Sequence, residues 1–231
     1  MIMSLIQLDK VCKTYRTGNL EVPAVIDFTA TIEAGEFTVL AGPSGSGKTT
    51  LLNLIGCLDQ PSSGQVVLDG RNVATTPTRK LADFRLQHIG FIFQSYNLIP
   101  VLTALENAEF TLMLRGVPQQ QRHQRVRELF ALLGLEGLED RRPNDLSGGQ
   151  QQRVAIARAI AAEPAVVLAD EPTANLDSRA GRDLLELMYR LNREQQTTFV
   201  FSSHDPQVVD MARRVISLHD GRLADDQRRK P

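Results

Sequence analysis

The chain has little cysteine, no surplus of either charge and no long apolar run. Its 231 residues hold two cysteines, Cys12 and Cys57. They lie far apart without metal-ligand spacing, and in a chain that opens without a secretory signal they read as reduced thiols. That opening, Met1-Ile2-Met3-Ser4-Leu5, has no basic segment followed by a long apolar one. No window reaches the roughly 18 consecutive apolar residues of a membrane span. If the work concerns a membrane, another chain supplies the spanning part. Lys plus Arg is 26 against 27 for Asp plus Glu, a net charge of -1. General nucleic-acid binding needs a basic surplus, so no nucleic-acid partner is expected, although a local patch stays open. Internal repeats and low-complexity tracts are also absent. What remains is ordinary for a globular protein, 42% hydrophobic and 23% charged. The length suits one large domain, or a domain with an inserted lobe, whose core needs no staples.

Leu5 to Leu8, leading to Tyr15, and Val25 to Ile32 are strand-like. Ala34-Gly35 reads as a turn, and Phe37 to Ala41 is a short apolar strand leading into a glycine-rich loop. Thr49 to Leu58 has helical spacing. Gln65 to Leu68 is a strand closed by the turn pair Asp69-Gly70, and Ile89 to Phe93 is another. From about Leu102 to Ala162 the period is mostly helical, broken at Gly116-Val117-Pro118 and Arg142-Pro143. Ser147 suits an N-cap for a helix from Gln150 to Ala161. Strands return at Ala165 to Ala169, Thr198 to Ser202 and Val215 to Leu218. Between them lie a helix from Ser178 to Gln195 and a short one, capped by Asp205, reaching Ala212. Asp220-Gly221 reads as a last turn, and Asp225 to Pro231 as a charged, frayed end without an appended regulatory domain. Strand–helix alternation at both ends predicts an α/β fold with a mostly parallel sheet, and the helical middle reads as an inserted lobe.

Gly42-Pro43-Ser44-Gly45-Ser46-Gly47-Lys48-Thr49 fits G-x-x-x-x-G-K-[ST], between a strand and a helix as that motif requires. Its glycines let backbone N–H groups curl around a phosphate, and the helix N-terminus adds partial positive charge. Lys48 offers a point charge to the β- and γ-phosphates, and Thr49 a hydroxyl to Mg²⁺. The apolar strand at Val166 to Ala169 ends in Asp170-Glu171. Chemistry in a parallel sheet sits at the carboxyl ends of the strands. Asp170 is therefore placed to hold Mg²⁺, directly or through water, and Glu171 to act as general base toward the γ-phosphate.

Leu146-Ser147-Gly148-Gly149-Gln150-Gln151-Gln152-Arg153 resembles the LSGGQ signature that separates ATP-binding-cassette (ABC) ATPases from other P-loop proteins. Its distance before Asp170-Glu171 fits. Ser147, Gly148 and Gly149 open a helix and so make a second anion-binding end. The resemblance implies that this end, with Gln150, binds the γ-phosphate of an ATP held by another protomer. It implies that Tyr15 stacks on adenine and that Gly42 to Thr49, with the following Thr50, wrap the phosphates. Lys48, Gln94, Glu171 and His204 then form the catalytic set. Thr49, Gln94 and Asp170 hold Mg²⁺, and Asp177 crosses the dimer interface. His88, His123 and His219 match no motif and read as structural or surface residues.

The fold implied is one ABC ATPase domain over residues 1–231: a P-loop NTPase core with a mostly parallel sheet, an N-terminal antiparallel β subdomain and an inserted α-helical lobe. Residues 1–94 and 163–231 form the RecA-like core with the β subdomain, and about 95–162 the lobe. ATP and Mg²⁺ are the expected cofactors. ATP binding is expected to draw two copies into a homodimer that drives an integral-membrane permease from the cytoplasmic face of the inner (plasma) membrane. The runs Thr14-Tyr15-Arg16-Thr17-Gly18, Phe93-Gln94-Ser95-Tyr96-Asn97-Leu98-Ile99-Pro100 and Ala169-Asp170-Glu171-Pro172-Thr173-Ala174-Asn175-Leu176-Asp177-Ser178 resemble the bacterial lipoprotein-releasing and macrolide-export subgroup. Ser95 to Asn107 is either an exposed docking stretch for the permease or a buried packing segment between lobes. Two other readings stay open: an ATPase regulating a cell-envelope or division complex without moving cargo, and an ABC ATPase acting on nucleic acid or ribosomes.

Overall fold

A computed structural model describes residues 4–18 and 20–229. The first three residues and the last two, which carry part of the readings of the start and of the charged end, lie outside the described residues, as does Asn19.

Two sheets make the frame. Strands β1 (Ile6–Thr17), β2 (Leu20–Ile32), β4 (Ser63–Leu68) and β5 (Arg71–Asn72) form an antiparallel sheet in the order β2-β1-β4-β5. The second sheet takes β3 (Phe37–Ala41), β6 (Ile89–Ile92), β7 (Val166–Asp170), β8 (Thr198–Ser203), β9 (Arg214–His219) and β10 (Arg222–Arg228). Its order is β10-β9-β3-β8-β7-β6, parallel from β9 to β6, with β10 antiparallel on the edge.

The alternation of side chains along a strand decides what each face buries. Val39, Val167, Phe199, Phe201 and Val215 point into one apolar cluster, and Leu40, Leu168, Val200 and Ile216 into another. Both faces are covered, which is why these strands read as unbroken apolar runs. On the second face, Leu51, Leu54 and Ile55 of α1 (Lys48–Ile55) pack between the sheets, against Phe28, Ile32 and Leu68. On the first face, α6 (Ser178–Gln195) contributes Leu184, Leu185 and Met188. The same cluster continues into the helices between β6 and β7: α3 (Ala104–Leu114), α4 (Gln119–Leu133) and α5 (Gly148–Ile160). Phe130 of α4 is fully buried there, a burial that contributes about 2–3 kcal/mol. A capping box starts α3: Thr103 Oγ1 accepts from Glu106 N at 3.2 Å, and Thr103 N donates to Glu106 at 2.8 Å.

Several elements differ from the sequence reading, among them β5, which was not expected, and β2, which begins at Leu20 and not at Val25. Helix α2 (Thr78–His88) buries only Leu81 and Phe84, too few apolar positions to announce a period. Strand β1 runs on to Thr17 through register shifts after Leu8 and Val11, with Lys10 left-handed at φ 47°; the bulges interrupt the alternation that marks a strand. Asp220-Gly221 is a turn as expected, but residues 225–228, expected to belong to a frayed end, lie in β10. Every one of its side chains is exposed, so pairing with β9, and not burial, makes it a strand.

One buried cation ties β10 in place. Arg214, 4% exposed, donates from Nε and Nη2 to the two carboxylate oxygens of Asp226 at 2.9 and 2.7 Å and from Nη1 to Glu36 at 2.9 Å. The Arg214 hydrogen bonds hold the Asp226 carboxyl below its ordinary value of 3.8. Stability from this pair is therefore complete above that value and is lost as pH falls through the lowered one. Arg214→Ala leaves Asp226 without its cation and Glu36 with Arg228 alone, at 3.3 Å, and is expected to cost about 3 kcal/mol in a urea unfolding experiment. A loss under about 1 kcal/mol, the size of an exposed pair, would contradict this.

Candidate functional site

The Gly42–Thr49 loop joins β3 to α1. Gly47, the N-cap of α1, is left-handed at φ 98°, and a Cβ there would collide with the Ala24 carbonyl. At Gly42 a Cβ would meet the Leu218 carbonyl and Ser46 Oγ. Only glycine fits both positions. Lys48 is 6% exposed, and its ammonium donates to the carbonyls of Gly42 at 2.7 Å and Pro43 at 2.9 Å. Ser46 Oγ is buried without a hydrogen-bond partner among the described residues.

The two acids at the end of β7 are held separately. Asp170 Oδ1 accepts from Thr49 Oγ1 at 3.1 Å and from Ser202 Oγ at 2.7 Å. Glu171 is left-handed at φ 44°, a conformation that costs a non-glycine residue on the order of 1 kcal/mol and that clusters at functional sites. Its amide still donates to the Ser202 carbonyl at 2.9 Å. Its carboxylate accepts from Ser203 Oγ at 3.2 Å and meets His204 Nδ1 at 2.7 Å. An ionised carboxylate only accepts, so in this contact Nδ1 carries the proton.

A cleft of about 390 Å³ collects part of these groups, with Asp170 outside its lining and joined to it through Thr49. Ser44, Gly45, Gly47, Lys48, Thr49 and Thr50 line one side; Gln94, Glu171, Ala174 and His204 line the other. Gln94 follows β6, and its carbonyl accepts from Asn175 Nδ2 at 2.7 Å. The lining does not include Tyr15, Gly42, Pro43, Ser46, Ser147 to Gln150, Asp170 or Asp177. Tyr15 is 40% exposed on β1, its hydroxyl donating to Asp59 at 3.1 Å and its ring facing Lys13 Nζ at 5.0 Å. Asp177 caps α6, accepting from the amides of Arg179 at 3.0 Å and Ala180 at 2.8 Å.

Ser147 caps α5 in a reciprocal box: Ser147 Oγ accepts from Gln150 N at 3.3 Å, and Ser147 N donates to Gln150 Oε1 at 2.8 Å. The first amides of α5 behind that cap have no partner within the helix. A Cβ at Gly149 would meet nothing within 4 Å, so the Gly149 side of this end faces open space, while Gly148 lies against Tyr96. Tyr96 connects the segments, its hydroxyl donating to the Asn175 carbonyl at 3.4 Å and packing against Gly148. Arg158 of α5 donates to the carbonyls of Tyr96 at 2.8 Å and Asn97 at 2.6 Å, both left-handed residues. The stretch from Ser95 to Asn107 is divided. Leu98 packs against the core, and buried Asn107 bonds the backbone of Ile99, Leu102 and Thr103, while Val101 is 73% exposed.

No site role is expected from the sequence for Ser202, Ser203 or Asn175, although Asn175 lies in the run that carries Asp177. For the serines a signal existed: two hydroxyl residues close an otherwise apolar strand just before His204. The Asn175 bond to Gln94 spans 81 positions, and no local pattern announces it.

The family of ABC transporters matches residues 25–174, and the chain belongs to it as an ATP-binding-cassette ATPase. A Thermotoga maritima protein described as an uncharacterized ABC transporter ATP-binding protein is 46% identical over 225 residues, 97% of this chain and 96% of that one. The macrolide export ATP-binding/permease protein MacB of Brucella melitensis is 45% identical over 222 residues. That match takes 96% of this chain but 34% of the exporter, so this chain spans about a third of the exporter's length. Among solved structures, the ATP-binding cassette MJ0796, a dimer in a post-hydrolysis state bound to ADP and Pi, has a TM-score of 0.90 and 41% identity, covering 98% of this chain and 99% of that one.

Proposed function

We propose that the chain binds ATP with Mg²⁺, closes on it with a second copy, hydrolyses it, and so drives a separate membrane permease of the macrolide-export or lipoprotein-release kind. The supporting observation is the single cleft in which Lys48 and Thr49 face Gln94, Glu171 and His204. Magnesium takes hard oxygen ligands and few of them from protein. The Thr49 hydroxyl and Asp170 carboxylate, 3.1 Å apart, fit that demand, with Gln94 on the same cleft. When bound, Mg²⁺ supplies positive charge to the phosphate oxygens.

The chain's own residues do the rest. Lys48 exchanges the carbonyls of Gly42 and Pro43 for the β- and γ-phosphates. Loop amides from Ser44 to Thr50 hold the phosphates, and Tyr15, exposed on β1, stacks on the adenine. Glu171 takes the proton of the attacking water as the bond between the β-phosphate oxygen and the γ-phosphorus breaks, leaving ADP and phosphate. His204 and Ser203 orient its carboxylate. The α5 end at Ser147, Gly148 and Gly149 lies outside its own cleft and open to solvent, so it serves the ATP of a second copy, with Asp177 at the same junction. ATP then joins the pair, and its hydrolysis releases it.

Among the described residues no helix is long and apolar enough to cross a membrane. The force is delivered at the cytoplasmic face of the inner membrane through a permease, with no nucleic acid involved. Val101 is the contact point we assign to it, since Leu98 is already packed inward. Tagged chain extracted in mild detergent is expected to bring down a permease with few spans and a large extracytoplasmic domain. Val101→Asp should lower that recovery severalfold with basal ATP turnover intact. Ribosomal or nucleic-acid partners in place of a membrane protein would overturn the transport reading, and full recovery with Val101→Asp would move the docking surface elsewhere.

A further inference from the structure

Strand β8 lies between β3 and β7 in the middle of the parallel sheet, and all six of its residues are buried. Such a strand ordinarily carries apolar side chains throughout, and a hydroxyl in it is costly unless hydrogen-bonded. Ser202 is fully buried and pairs in register with Asp170 on one side and Leu40 on the other. Register neighbours in a parallel sheet project to the same face, and the Ser202 hydroxyl donates to Asp170 Oδ1 at 2.7 Å, the length of a charge-assisted bond. Thr49 Oγ1 reaches the same oxygen at 3.1 Å. Both hydroxyls thus converge on Oδ1, and among the described residues no donor reaches Oδ2.

We propose that Ser202 is a positioning residue for the metal half of the ATP site. Its hydroxyl, fixed to the central sheet, holds Asp170 by Oδ1 and leaves Oδ2 as the oxygen offered to Mg²⁺ or to water bound to it. This rests on the ATP–Mg²⁺ reading given above. The two donors to Asp170 divide the work. Thr49 belongs to the phosphate loop and shares its oxygen lone pairs with the metal. Ser202 has no other task and keeps the carboxylate in one orientation with or without nucleotide. Groups that orient a metal ligand in this way typically change metal affinity 10- to 100-fold.

The test uses the full chain saturated with ADP and titrated with Mn²⁺, free Mn²⁺ being followed by electron paramagnetic resonance. Ser202→Ala is expected to weaken Mn²⁺ binding about 10-fold. Metal-free ADP affinity and the thermal midpoint should stay near those of the native chain. The Mg²⁺ concentration giving half-maximal ATP turnover should rise by the same factor, with kcat at saturating Mg²⁺ retained. Ser202→Thr, which keeps the hydroxyl, should restore Mn²⁺ affinity. If the alanine chain does not fold, Ser202→Cys keeps the size with a weaker donor, and an intermediate loss is expected. Unchanged Mn²⁺ affinity in a folded Ser202→Ala or Ser202→Cys chain overturns the assignment, as does an equal loss in the alanine and threonine chains. Failure of the native ADP-loaded chain to bind Mn²⁺ at all would instead bring down the ATP–Mg²⁺ reading, and this assignment with it.

Discussion

Glu171→Gln is expected to bind ATP as the native chain does and to turn it over about 10²- to 10⁴-fold more slowly, the usual effect of losing a positioned general base. The amide keeps the shape of the side chain, so the local packing around Ser203 and His204 survives. What disappears is the proton acceptor at Oε1 and Oε2. The left-handed backbone at Glu171 supports the choice of this residue over Asp170. It turns the chain at the strand end, so that consecutive acids meet different partners: Asp170 the hydroxyls of Thr49 and Ser202, Glu171 the cleft and His204. Steady-state phosphate release measures the effect. Turnover within threefold of native would remove Glu171 from the role of base.

Lys48→Ala is expected to weaken ATP binding about 10- to 100-fold, which corresponds to losing one or two hydrogen bonds from a charged donor. Two carbonyls, those of Gly42 and Pro43, then remain without the ammonium that joins them. The nucleotide-free loop loses its internal clamp, and the thermal midpoint should fall by a few degrees as well. Equilibrium binding of a fluorescent ATP analogue separates the two effects, because the affinity loss exceeds what a few degrees of stability can cause. Unchanged affinity would contradict the phosphate-loop assignment.

What the sequence made legible is local. The phosphate loop announces itself because glycine, lysine and threonine at fixed spacing leave the chain few other conformations between β3 and α1. Ser147 was readable as a cap, since a side-chain oxygen two or three residues before unpaired amides has one obvious use. Contacts between distant segments were not readable. The meeting of His204 with Glu171 depends on β7 and β8 being neighbours in the sheet, and the bond from Asn175 to Gln94 on the turn after β7 lying beside the end of β6. Helix α2 and strand β10 stayed hidden for a different reason. Each exposes most of its surface, so apolar periodicity, the strongest sequence signal, is nearly silent there. Arg214 shows how such an edge is kept: the strand is secured by pairing and by one buried guanidinium, neither of which leaves a pattern in the strand itself.

We propose that ATP joins two copies of this chain through the cleft of one and the α5 end of the other. Light scattering of purified Glu171→Gln, with and without ATP and Mg²⁺, tests it most directly, because that chain should hold the nucleotide without consuming it. The mass should double on adding ATP and return to the monomer value when Gly149→Asp sets a negative charge before the α5 amides. A monomer with bound ATP, or a dimer indifferent to Gly149→Asp, would contradict it.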